Sequence, residues 1–147
     1  MTRVKQDNGP QQAKQGPPEV QAEKAIIQLP ASRRILVVED NLDSAHMLAT
    51  FFGSMGHKVE YAINAIVAVH VAHRFLPEFV FLDLRLPDGH GAEVARQLRL
   101  NPHLSKTRIY AVTGSPAWDD WKRALAAGCE DVLVKPVATD VLERLVT

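Results

Sequence analysis

Three carboxylates, one amine and one hydroxyl stand where apolar runs of this chain give way to polar residues. Glu39 and Asp40 follow Ile35 to Val38, and Asp83 follows Phe79 to Leu82. Thr113 follows Ile109 to Val112, and Lys135 follows Val132 to Val134. Taken singly, each has an ordinary explanation. Glu39 and Asp40 suit the positive end of a helix. Asp83 suits the backbone of a turn, Thr113 a cap, Lys135 solvent, and Pro136 a helix start.

Taken together, the five have one chemistry. Two carboxylates ~4 Å apart repel by roughly 4 kcal/mol at an effective dielectric near 20, so three of them need compensation. A divalent cation supplies it, and Lys135 adds one more positive charge. Carboxylate oxygens and water suit Mg2+, with Mn2+ as the alternative. No Cys or His stands beside them at zinc-ligand spacing. A carboxylate next to such an ion, an amine and a hydroxyl is equipped for phosphoryl transfer. Asp83 is the expected nucleophile. Lys135 and the ion would oppose the charge on the phosphoryl oxygens, Thr113 would donate to the product, and Gly114 leaves room for it.

That chemistry requires distant positions to meet, so the intervening elements matter. Ile35 to Val38, Phe79 to Leu82, Ile109 to Val112 and Val132 to Val134 are short continuous apolar runs, as strands buried on both faces should be. His57 to Tyr61 alternates as a further strand. Between the strands, Leu42 to Met55 has helical apolar spacing closed by Gly56. Asn64 caps a helix to Phe75, ended by Pro77; its many β-branched residues leave packing to hold it. Ala92 to Leu100 is a helix stopped before Pro102, Trp118 to Ala127 one stopped by Gly128, and Thr139 to Val146 a short last one. Pro87, Asp88, Gly89 and Gly91 make a turn-rich loop. Strands alternating with helices imply an α/β fold, a doubly wound parallel sheet of five strands covered on both faces. Right-handed crossovers place every strand-to-helix loop at one edge, where ligands bind.

Length, composition and charge agree. The 147 residues match one domain, and 46% are hydrophobic, enough for a core. The 17 basic and 17 acidic residues balance. No field or Lys/Arg cluster favours nucleic acid or an anionic membrane, so neither is an expected direct partner. Cys129 stands alone, which excludes an internal disulfide. With no signal sequence and no apolar run near ~20 residues, a cytoplasmic location is expected. Residues 1–32, rich in Gln and Pro and without aromatics, read as a disordered tail or linker. A short helix over Glu19 to Gln28, with Ile26, Ile27 and Leu29 as a docking group, is the other reading. Residues 33–147 form the domain.

As a set, these motifs resemble the bacterial response-regulator receiver domain of two-component signalling, over about residues 33–147. The resemblance implies a flavodoxin-like sheet of strand order 2-1-3-4-5. It makes Glu39 and Asp40 the acidic pair on Mg2+ and Asp83 the phosphoacceptor and a further ligand. The backbone carbonyl of Arg85 is the last protein ligand. Thr113 becomes the switch hydroxyl and Lys135 the phosphoryl-binding lysine, with a cis bond to Pro136. Arg85 and Ser115 fall where the family tunes phosphoryl lifetime. The implied partners are a histidine kinase or a phosphotransfer protein, and the implied output is protein contact. The domain would catalyse its own phosphorylation and dephosphorylation without a separate substrate.

One position departs from the family: three residues before Lys135 stands Val132, where an aromatic usually swings inward. The helix after Thr113 carries Trp118 and Trp121 and is the expected reporter, with Trp121 read as core and Trp118 as surface. His46, His57, His70, His73, His90 and His103 are read as structural or solvated. Rival readings are a receiver segment of a hybrid kinase, a phosphorylation-independent scaffold, and a hydrolase of the haloacid-dehalogenase type. The last is disfavoured because Asp83-Leu84-Arg85 lacks the second acid of Asp-x-Asp and does not lie on the first strand. With no output module in the sequence after the last helix, a stand-alone receiver acting by protein contact is one expectation and a hybrid-kinase segment the other.

Overall fold

A computed structural model describes residues 31–115 and 117–147. The tail reading over residues 1–32 falls, but for its last two residues, outside the described residues, and so do its short helix and its Ile26, Ile27 and Leu29. The strands of the main sheet are β1 (Arg34–Val38), β2 (Lys58–Ala62), β3 (Phe79–Asp83), β4 (Arg108–Thr113) and β5 (Asp131–Val134). The helices are α1 (Leu42–Ser54), α2 (Ala65–Phe75), α3 (Gly91–Arg99), α4 (Trp118–Ala126) and α5 (Thr139–Val146). All pairings within the sheet are parallel, in the order β2-β1-β3-β4-β5. The doubly wound α/β expectation and its strand order hold.

Alternation along the strands splits the core in two. Leu36, Val38, Val80, Leu82, Ile109 and Ala111 point to one face, where α2, α3 and α4 supply Ala68, Leu98 and Ala124. Ile35, Val37, Phe79, Phe81, Tyr110 and Val112 point to the other, against Phe52 of α1 and Leu142 and Val146 of α5. Each central strand is therefore apolar on both faces. Phe52, Phe81 and Tyr110 stack across the second layer at 5.0 and 5.7 Å, within the 4.5–7 Å that aromatic pairs favour.

Local chemistry sets the element ends. Asn41 caps α1 by accepting from Ser44 N, and Asn64 caps α2 by accepting from Val67 N. Gly128, at φ 106°, turns the chain after α4. Most differences from the sequence reading are shifts of one residue. The second strand begins at Lys58 rather than His57, because Lys58 is the register partner of Arg34. His57 instead uses its ring, Nδ1 accepting from Arg33 N at 3.0 Å. The loop at Pro87 holds a two-residue antiparallel ladder, Arg85–Leu86 with Gly89–His90. His90 then caps α3, which starts at Gly91 rather than Ala92.

Candidate functional site

At the carboxyl edge of the sheet, Glu39 and Asp40 leave β1 and Asp83 ends its neighbour β3. Carboxylate oxygens of Glu39, Asp40 and Asp83 all lie within 4.8 Å of one another. Glu39 is 3% exposed and Asp83 8%, whereas Asp40 is open to solvent. Helix capping does not occupy the acids, since Asn41 does that work.

Lys135 reaches the same point from β5. Its Nζ donates to Glu39 Oε1 at 2.6 Å and to Asp83 Oδ2 at 3.1 Å. The second oxygens are held by backbone: Glu39 Oε2 accepts from Asn41 N at 3.1 Å and Asp83 Oδ1 from Arg85 N at 2.9 Å. Burial alone would lower the Lys135 pKa, but its bonds to Glu39 and Asp83 outweigh that and hold it above the ordinary lysine value. The ammonium thus stays charged between the two acids. The Lys135–Pro136 peptide is cis.

Thr113 ends β4, one residue past Val112, the register partner of Asp83. It is buried, and its carbonyl accepts from Lys135 N at 2.8 Å. Its hydroxyl oxygen accepts from Ser115 N at 3.3 Å and donates to no described residue. All five sequence-singled positions therefore gather at one edge, with Arg85 bound to Asp83 through its amide. Val132 is 5% exposed and packed into the first core layer. On α4, Trp121 is half-buried against that layer and Trp118 is 69% exposed. A groove lined by Met47, Leu48, Val137 and Leu142 opens beside Glu39 and Lys135.

The donor set fits a hard divalent cation. Three carboxylates against one ammonium leave two uncompensated negative charges, and all the clustered donors are oxygens. Oxygens around Mg2+ lie about 2.1 Å from the ion and hence up to about 4.2 Å apart, so small rotations close the cluster on one ion. Among the described residues, no Cys or His joins the carboxylate cluster to offer the sulfur or imidazole nitrogen that zinc prefers.

Four further residues shape the edge: Asp88 and Gly91, which the sequence marks only as turn residues, His90, read there as structural or solvated, and Asp120, which carries no sequence signal. Asp88 accepts from Ala65 N at 2.7 Å and Ile66 N at 3.1 Å, capping α2 from the loop after β3. These bonds hold its carboxyl below the usual aspartate value, Ala65 N contributing most. Gly91 packs directly on the Asp83 carbonyl; a Cβ there would overlap that oxygen and lie 2.8 Å from Leu84 Cα. His90 Nδ1 accepts from Ala92 N at 3.0 Å, and its Nε2 bonds Asp120 Oδ1 of α4 at 3.0 Å. Pro87, Asp88, Gly89 and Gly91 signal a turn, but nothing local points to the partners of Asp88 and Asp120.

The doubly wound sheet thus carries acids at the ends of its first and third strands and a lysine at the end of its fifth. The chain belongs to the response regulator receiver domain family, whose model matches residues 35–147. The virulence transcriptional regulatory protein PhoP of Shigella flexneri is 35% identical over 103 residues, 70% of this chain and 45% of PhoP. Virulence sensor protein BvgS of Bordetella bronchiseptica is 29% identical over 133 residues, 87% of this chain and 11% of BvgS. The receiver domain of sensor histidine kinase PA1611 of Pseudomonas aeruginosa PAO1 was solved with a magnesium ion in its active site cleft. It is 30% identical, with a TM-score of 0.72 over 79% of this chain and 95% of that one. The chain thus spans under half the length of PhoP and a small part of BvgS. As a receiver domain, the chain is a signalling switch of two-component systems. No described helix is long and apolar enough to cross a membrane.

Proposed function

We propose that this receiver takes a phosphoryl group onto Asp83 from a histidine kinase or phosphotransfer protein, with Mg2+ held by Glu39, Asp40, Asp83 and the Arg85 carbonyl. The supporting observation is the joint placement of three carboxylates within 4.8 Å of one another with Lys135 bonded to two of them. When bound, Mg2+ supplies positive charge to the phosphoryl oxygens. A carboxylate oxygen of Asp83 attacks phosphorus, and the bond from phosphorus to the donor breaks as the Asp83 O–P bond forms. Lys135 Nζ, already beside Asp83 Oδ2, turns a hydrogen bond to the incoming phosphoryl oxygen. Thr113 donates its uncommitted O–H to another. The exposed Met47 of α1, which lines the groove at Glu39 and Lys135, gives a protein donor an apolar landing. Residues 33–147 act as the switching domain, and output runs through protein contact.

Incubation with Mg2+ and acetyl phosphate, followed by intact-mass measurement, tests the reading. Wild type should gain one phosphoryl group and Asp83→Asn none. An unmodified wild type would support the phosphorylation-independent scaffold instead.

A further inference from the structure

Arg85 has two partners on two elements. Its amide donates to Asp83 Oδ1, so its backbone follows the phosphoacceptor. Its guanidinium has a single carboxylate within 4.0 Å among the described residues, Asp120 Oδ2 at 3.9 Å. Asp120 stands in the first turn of α4, a helix whose Ala117 provides no side-chain cap. Its other oxygen is engaged by His90 Nε2. Because His90 Nδ1 accepts from Ala92 N, the ring proton sits on Nε2 and is donated to Asp120. Asp120 therefore ties α4 tightly to the start of α3 and loosely to Arg85.

The loose tie is the one that can be exchanged. A 3.9 Å contact to a guanidinium that is largely exposed is worth little and is screened by salt. A phosphoryl group on Asp83 brings about −2 charge and three strong acceptors, and it forms two residues from Arg85. Guanidinium binds such groups in preference to a lone carboxylate because several of its donors can engage at once. The aromatic swing used elsewhere in the family has no counterpart here, since Val132 is buried in the core. We propose that Arg85 is a phosphoryl-binding residue held in reserve by Asp120: modification of Asp83 draws its side chain off α4, and this exchange reports the modification to α4. The inference rests on Asp83 being the phosphoacceptor.

Trp118 and Trp121 lie on α4 with ring centroids 6.5 Å apart, so tryptophan emission reads the helix directly. Full-length wild type, Arg85→Gln, Arg85→Lys and Asp120→Asn are treated with Mg2+ and acetyl phosphate, recording emission and intact mass together. Emission changes are compared per mole of adduct, read from the intact mass, so a lower yield in the Arg85 variants does not enter the comparison. Wild-type emission should change on modification, Arg85→Gln should lose more than half of that change, and Arg85→Lys should regain part of it. Asp120→Asn, with Arg85 already released, should show a shifted emission beforehand and little further change. Full wild-type responses in Arg85→Gln and Asp120→Asn, or a wild type that gains the adduct with no emission change, would overturn the exchange. A wild type that gains no adduct overturns the phosphoacceptor reading itself, and the exchange with it.

Discussion

At the amino end of the sheet, Arg33, Arg34 and Arg108 all meet opposite charges. Glu78, just ahead of β3, accepts from Arg34 N at 3.1 Å and Arg33 Nη1 at 3.4 Å, with Arg34 Nη1 3.7 Å away. Arg108 clasps Glu130 through two bonds of 2.9 Å. At the carboxyl end, Glu39, Asp40 and Asp83 share one lysine. The same sheet thus carries neutralised, partly solvated pairs at one end and an uncompensated acidic cluster at the other. Ion pairs of the first kind contribute little to stability. The second arrangement leaves negative charge uncompensated, and such a cluster marks the candidate functional end.

The packing of glycines offers the strongest way to break this contrast. Gly91 at the carboxyl end has no room for a Cβ against Asp83 and Leu84, whereas Gly56, before β2, has nothing within 4 Å and only a φ of +91° to satisfy. Gly91→Ala should cost about 3 kcal/mol through overpacking, and Gly56→Ala about 1 kcal/mol through backbone strain. Urea unfolding without metal measures both. Equal losses would mean that the two ends are held with the same tightness.

Charge removal should give the next effects. Lys135→Met leaves Glu39 and Asp83 buried without their cation. Breaking a fully buried pair costs about 3–5 kcal/mol; the partial exposure of the Lys135 head reduces the expected loss to about 2 kcal/mol. Mg2+ at a hundredfold excess over its Kd returns up to about 2.7 kcal/mol, so the variant should depend on Mg2+ more than wild type does. Glu78→Gln at the opposite end should cost about 1 kcal/mol, with no change on adding Mg2+. The loss is small there because the Arg33 and Glu78 side chains are each about a third exposed, 34% and 33%. A Glu78→Gln loss that Mg2+ repairs would erase the distinction between the ends.

The carboxyl end was the more legible of the two in the sequence. Asp83 and Lys135 interrupt continuous apolar strands, and strand periodicity together with crossover handedness fixes where such interruptions meet. The strand runs themselves survived with shifts of one residue, because charged ends such as Arg34 and Arg108 still pair in register although they look like loop residues. The amino end was nearly silent. Glu78 and Glu130 sit beside arginines that are distant in the chain, and surface pairs carry no periodic signal. Nor could the sequence show Asp88 capping α2 or Asp120 holding His90, since both bonds join elements whose packing sets the distance. Trp121 and Trp118 separated as core and surface because helical spacing places Trp121, with Ala124, towards the sheet.

The smallest effect expected concerns His57, at the amino end. Burial, then the nearby Arg33 charge, lowers its pKa below 6.5. The neutral ring accepts the Arg33 N–H at Nδ1, a bond that protonation of that nitrogen would break. In the unfolded chain the imidazole titrates near its ordinary value, so between the two pKa values the unfolded state binds the extra proton. The stabilisation is complete above about pH 6.5, declines as pH falls, and levels off once the folded ring is also protonated. One proton bounds the slope at about 1.4 kcal/mol per pH unit. His57→Gln, which can still accept from Arg33 N, should be less pH-sensitive than wild type between pH 7 and 5 in urea titrations without metal. The carboxyl-end acids are the same in both proteins, so they cancel in the difference. Parallel stability curves across that range would show that the ring bond is not sensed by the fold.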